Sequence, residues 1–132
     1  MSAEQATAVA FTDSDLPRWL PLASDADLDR LDFGTIGIDT AGVVCRYNSF
    51  ESKAAGLSPE RVLGHPLFTV VAPCMNNFLV AQRLEDALAY GGSLDATIDY
   101  VLTLRMRPVK VKLRLLAMTG ASLRWVLVHR IV

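Results

Sequence analysis

The sequence predicts an α+β domain. It has a five-stranded antiparallel sheet with short helices and one longer helix on one face, and an N-terminal helical cap on the other. Three observations point there. The last third of the chain holds three runs whose apolar residues alternate with a period of two, and a shorter pair of such runs surrounds a turn near residue 41. Irregular helical segments fill the stretch between. The final run is bulky on both sides, so both of its faces need cover.

In chain order, residues 1–8 are small and polar and are expected to fray. From Val9, the apolar Phe11, Leu16, Trp19, Leu20 and Leu22 lie among Asp13, Asp15, Pro17 and Pro21, and prolines so close together permit only short helical turns. Ser24 and Asp27 mark a helix N-terminus, with Leu28 and Leu31 on one face. This segment reads as a cap laid over the sheet, with a partner-binding arm as the alternative. Residues 1–33 are assigned to the cap and 34–132 to the core of one structural domain.

Gly34–Asp39, the turn Thr40-Ala41-Gly42 and Val43–Tyr47 read as a hairpin. Alternation puts Val43, Cys45 and Tyr47 on one face, which makes Cys45 a small buried residue. Helical pieces over 49–72 break at Gly56, Pro59, Gly64 and Pro66, and such a segment often walls a ligand pocket. Residues 76–90 read as the main helix, striped by Val80, Leu84, Ala87 and Leu88 and stopped by Gly91-Gly92.

Ile98, Tyr100, Leu102, Leu104 and Met106 face one way on the next strand. Val109, Val111, Leu113 and Leu115 oppose Lys110, Lys112 and Arg114 on the following one, a basic row that reads as a solvated face. Thr119-Gly120-Ala121 turns into Leu123–Val132, with Val126 and Val128 opposite Leu123, Trp125, Leu127 and Ile131.

A chain of 132 residues is enough for one core and too short for two ordinary domains. The net charge of −1 implies no general attraction to nucleic acid or membrane, and the basic row has no interleaved aromatics for base stacking. Residues 1–60 hold ten acidic and four basic side chains and the remainder four and nine, so the two halves are expected to attract. No leader is evident at the start, and no run approaches the roughly 20 apolar residues that cross a bilayer. Two cysteines, neither in a metal-type spacing with histidine, fit a reduced cytoplasmic protein.

The chemistry concentrates at Val71-Ala72-Pro73-Cys74 and Tyr47–Glu51. Cys74 is a thiol that can carry an acyl group. Tyr47 and Glu51, four apart, have the spacing of one side of a helical turn and offer two proton donors. Taken singly, each also has an ordinary reading: an inert core cysteine, a half-buried strand end, a solvated helix carboxylate.

Together with Val9-Ala10-Phe11, Leu28-Asp29, Phe33-Gly34, Tyr47-Asn48, Glu51, Val71–Cys74, Tyr100, Lys110–Lys112, Trp125-Val126, Val128 and Arg130, these residues resemble the photoactive yellow protein family of PAS-fold light sensors. The resemblance runs from Val9 to the C-terminus. It implies a blue-light photoreceptor with p-coumaric acid (4-hydroxycinnamic acid) as a thioester on Cys74, preceded by Pro73. Tyr47 and Glu51 would hydrogen-bond its phenolate oxygen, and the Cys74 amide its carbonyl. Light-driven isomerisation, proton transfer from Glu51 and release of the N-terminal cap would follow, with Phe11 packed near His129. A phenol normally titrates near about 10, so holding it ionised in a buried site needs such donors.

Several positions depart from the family pattern. Ala55 stands for a threonine that supports the tyrosine, and Leu57 for an arginine over the phenolate. Leu67, Leu102 and Leu104 replace aromatics of the lining, which also includes Met106. Phe50 and Met75 are bulkier than usual there and are expected either to refill some of that space or to block it. The expected partner is an unknown downstream signalling protein, and the expected state a monomer or weak homodimer. The alternatives are a non-photoactive PAS-type ligand-binding or interaction module and, more weakly, an enzyme with Cys74 as nucleophile and no histidine placed as its base.

Overall fold

In the computed structural model, residues 9–103 and 107–130 are described. The expected fraying of residues 1–8 and the lining positions Leu104 and Met106 lie outside them. The cap contains helix α1 (Leu16–Trp19), a 3-10 turn (Leu20–Leu22) and helix α2 (Asp25–Asp29). Prolines at the first turns limit the first two, and a reciprocal capping box between Ser24 and Asp27 starts the third.

Strands β1 (Gly34–Ile38) and β2 (Val44–Tyr47) form the hairpin. Helices α3 (Ser49–Ala55) and α4 (Pro59–Val62) follow, then a π-helical turn (Leu67–Val71) and a 3-10 turn (Pro73–Met75). Helix α5 (Ala81–Ala89) leads into β3 (Leu94–Leu102), β4 (Val109–Ala117) and β5 (Arg124–Arg130). The five strands are antiparallel in the order β2-β1-β5-β4-β3. The doubly apolar β5 therefore lies in the middle. Val126 and Val128 enter the core shared with the helices, while Trp125 and Leu127 enter a second core under the cap with Phe11, Leu16, Leu28 and Phe33.

Three expectations need correction. Cys45 is exposed, because a bulge pairs Gly37 with Arg46 and Ile38 with Val44 and leaves Cys45 between them. The longer helix begins at Ala81, not at residue 76. Ahead of it, the Asn77 side chain accepts the N–H groups of Leu79 and Val80, which turns that stretch into a capped loop.

The basic row is not uniformly solvated. Arg114 is buried: it grips Asp95 through two hydrogen bonds of 2.9 and 2.8 Å and donates to the carbonyls of Phe11 and Asp13 at 2.9 and 2.7 Å. The acidic and basic halves meet in one ion pair among the described residues, Glu51–Arg130.

Candidate functional site

Cys74 is delivered by two successive departures from α-helical geometry. In the π-helical turn, the Val71 and Ala72 N–H groups reach back to Pro66 and Leu67. Pro73 then opens a tight 3-10 turn, which leaves the Cys74 side chain half-buried against the main core. The Cys74 carbonyl accepts hydrogen bonds from the Tyr100 hydroxyl and, at 3.3 Å, from Asn77 Nδ2. Pro73 itself is exposed.

Tyr47 and Glu51 are not on one helical turn. Tyr47 ends β2, Asn48 caps α3 and Glu51 sits in the first turn of α3, so a strand-to-helix corner brings the two together. Asn48 is fully buried and builds that corner. Its Oδ1 accepts the N–H groups of Thr35 (3.0 Å) and Glu51 (3.1 Å), and its Nδ2 donates to the carbonyls of Leu28 (2.9 Å) and Phe33 (3.0 Å). One side chain thus ties the backbone of Glu51 to the cap.

Glu51 is only 2% exposed and rests on Gly34, where an added Cβ would collide with its carboxyl group. Arg130 donates from Nη1 to Oε1 at 2.7 Å and from Nη2 to Oε2 at 3.0 Å. Burial pushes the Glu51 carboxyl above its ordinary value, and the hydrogen bonds and charge of Arg130 oppose that. Burial, and then the nearby Glu51, push the Tyr47 phenol up as well, so Tyr47 stays a proton donor. Its hydroxyl donates to the Leu57 carbonyl at 3.3 Å, which also accepts the Ser52 hydroxyl at 2.8 Å.

The substituted lining falls into two groups. Leu67, Leu102, Met75 and Ala55 are buried, the first three in the main core with Tyr47, Leu57 and Cys74 packed against it. Phe50 is half-exposed and belongs to neither core, so it does not refill the lining. Without a side-chain hydroxyl at position 55, Tyr47 takes a backbone acceptor. Arg130, arriving from β5, brings a positive charge to the corner of Tyr47 and Glu51. A groove of about 620 Å³ opens beyond Tyr100, lined by Leu79, Asp99, Tyr100, Val101, Lys110 and Val111, and includes neither Tyr47 nor Glu51.

Among the sequence-based expectations, Arg130, Asn48 and Tyr100 figure as residues of the resemblance, with no role at the site, and Asn77 does not figure by name. Asn48 had a readable signal, an Asn placed three residues before an acidic helix residue. Arg130 and Tyr100 act across long sequence separations, and Asn77 acts on Cys74 three residues before it through an irregular turn. On the cap face, Phe11 stacks on His129 with ring centroids 5.2 Å apart.

A PAS domain is what this strand order, helical wall and outer cap define. Solved PAS domains share the fold: that of the quorum-sensing receptor RpfR from Cronobacter turicensis superposes with a TM-score of 0.59 at 16% identity, over 76% of this chain and 95% of that one. No protein-family model matches the chain. The photoactive yellow protein of Rhodothalassium salexigens is 34% identical over 124 residues, which cover 93% of this chain and 98% of the relative. The photoactive yellow protein domain of the sensor histidine kinase Ppr from Rhodospirillum centenum is 36% identical with a TM-score of 0.78, over 86% of this chain and 98% of that one. The chain belongs to the photoactive yellow protein family, as a divergent photoreceptor-type PAS domain. No helix among the described residues is long and apolar enough to cross a membrane, and none of their acidic, histidine or cysteine side chains cluster as a metal site.

Proposed function

We propose that the chain is a blue-light photoreceptor that holds p-coumaric acid as a thioester on Cys74. The observation that carries this reading is the buried Glu51 carboxyl seated on Gly34 beside Tyr47, in the same core that receives Cys74. A glutamic acid whose burial favours its neutral form, a phenol kept protonated and a nearby guanidinium make a donor set that suits an anionic oxygen. The buried leucines and Met75 suit an aromatic ring. The residues present therefore fit the group.

When bound, the group supplies a double bond that isomerises in blue light and a phenolic oxygen that takes up a proton. The chain does the rest. Cys74 Sγ would carry the acyl end, with the Cys74 backbone fixed by Tyr100 and Asn77, and Tyr47 Oη would turn from the Leu57 carbonyl to hold the phenolic oxygen. Glu51, whose burial favours the protonated form, would hold a proton on its carboxyl oxygen and be the group placed to give it up. Ionising a buried carboxyl costs several kcal/mol in lost hydration, which the Arg130 guanidinium offsets only in part, against a total stability of about 5–15 kcal/mol. Asn48 places the cap next to that disturbance, and the cap is the element to open.

The test is to mix the purified protein with an activated p-coumaroyl donor and record intact mass and absorption. The reading predicts a mass gain that Cys74→Ala abolishes and a visible band that blue light bleaches. With no covalent product the photoreceptor reading fails, leaving a PAS-type binding or interaction module. Turnover of thioesters that Cys74→Ala abolishes would instead indicate an enzyme.

A further inference from the structure

The ion pair between Glu51 and Arg130 joins residues 79 apart in sequence, and it occupies both carboxylate oxygens with both terminal nitrogens of the guanidinium. Side-chain exposures are 2% for Glu51 and 15% for Arg130. Arg130 stands at the end of β5, paired with Val111 across the sheet and on the same face as Val126 and Val128. A guanidinium stays charged throughout the accessible range and matches a carboxylate as a planar fork. The other titratable group at this corner is the Tyr47 phenol, held by the Leu57 carbonyl.

We propose that Arg130 is a positioning residue for the photoreceptor site: it is the counter-charge that accepts Glu51 as a carboxylate and so governs how readily Glu51 gives up and recovers its proton. The proposal rests on the photoreceptor reading and deepens it. The carboxylate formed when Glu51 releases its proton to the phenolic oxygen is not left alone. It is taken up by a cation already in bidentate register, and the proton's return must break that register. Arg130 thereby prolongs the state in which Glu51 is ionised and softens the force on the cap.

Two measurements test this. First, the Glu51 carboxyl is followed by carbon-13 NMR in the protein without pigment, its resonance assigned by loss in Glu51→Gln, and titrated in the unaltered chain, Arg130→Lys and Arg130→Gln. The titration midpoint is expected to move to higher pH in Arg130→Gln, with Arg130→Lys between. Circular dichroism identifies the variants that remain folded. Equal midpoints in folded variants would overturn the proposal.

Second, in pigment-loaded protein, Arg130→Gln is expected to recover its dark absorption at least tenfold faster than the unaltered chain. That difference should vanish in a Glu51→Gln background. A difference that persists there would assign Arg130 a merely structural role and overturn the proposal. The two readings fail separately: no pigment with shifted midpoints sinks the photoreceptor reading and supports the pairing of Arg130 with Glu51. Pigment with unmoved midpoints sinks the role of Arg130 alone.

Discussion

Each face of the sheet carries an arginine bound to a carboxylate through two hydrogen bonds, Arg130 partly buried and Arg114 buried, and the two pairs behave in opposite ways. On the helical face the carboxylate is the more buried partner: Glu51 is 2% exposed, and its carboxyl is pushed up. On the cap face the arginine is the more buried partner. Arg114 is 5% exposed while Asp95 is 46% exposed and is held below the ordinary aspartate value of 3.8 by its hydrogen bonds to Arg114. Bidentate pairing therefore does not decide the acidity of a carboxyl group. The water each carboxyl loses decides it. On the proposed reading the helical face exchanges a proton, while on the cap face Arg114 holds the Phe11 and Asp13 carbonyls.

The sharpest way to break this comparison is Arg114→Ala. It removes a buried cation and leaves the Phe11 and Asp13 carbonyls without their donor, at an expected cost of about 3 kcal/mol. The loss should be local, read as proteolysis within residues 9–33 and a changed emission from Trp125, which is buried under the cap. An unchanged digestion pattern would mean that apolar contacts alone dock the cap.

On the opposite face, Gly34→Ala drives a methyl group into the Glu51 carboxyl and should cost about 2 kcal/mol in urea unfolding. Stability equal to that of the unaltered chain would show that the carboxyl is free to move aside.

Acid should separate the faces more gently. Asp95 has a lowered folded value, so its contribution is present above 3.8 and is lost as pH falls through the folded value. Asp27, lowered by its backbone and side-chain hydrogen bonds to Ser24, follows the same sign. Glu51 has a raised folded value, so its contribution is complete below the ordinary 4.5 and is lost as pH rises through the folded value. Acidification is expected to loosen the cap while easing the Glu51 corner, seen as a change in Trp125 emission before the loss of far-ultraviolet dichroism. Simultaneous loss would merge the two faces into one acid response.

The smallest effect belongs to Cys45→Ser. At an exposed bulge it should change stability by less than about 0.5 kcal/mol. Maleimide should label Cys45 faster than the half-buried Cys74, and the reverse order would place the bulge wrongly.

Local pattern carried much of the fold into view. Alternation from Ile98 and from Val109 marked two strands, though the first of them begins earlier, at Leu94. Ser24 and Asp27 marked α2, and residues apolar on both sides marked β5 as covered on both faces. The misreadings arose where one side chain overrode a pattern. A bulge reversed Cys45, the Asn77 side chain displaced the start of α5, and cap carbonyls made a buried anchor of Arg114. At the site, the positions of Cys74, Tyr47 and Glu51 were readable, but their partners were not. Arg130 and Tyr100 reach Glu51 and Cys74 only once β5 and β3 are in place.

The central claim is that a proton leaving Glu51 on one face loosens the cap on the other through Asn48. Hydrogen exchange of the pigment-loaded protein, compared in darkness and under blue light, tests it most directly. The prediction is a loss of protection confined to residues 9–33 and the start of α3, with β1, β4 and β5 still protected. A pigment that bleaches while exchange in the cap stays unchanged, or rises equally across the whole sheet, would contradict it.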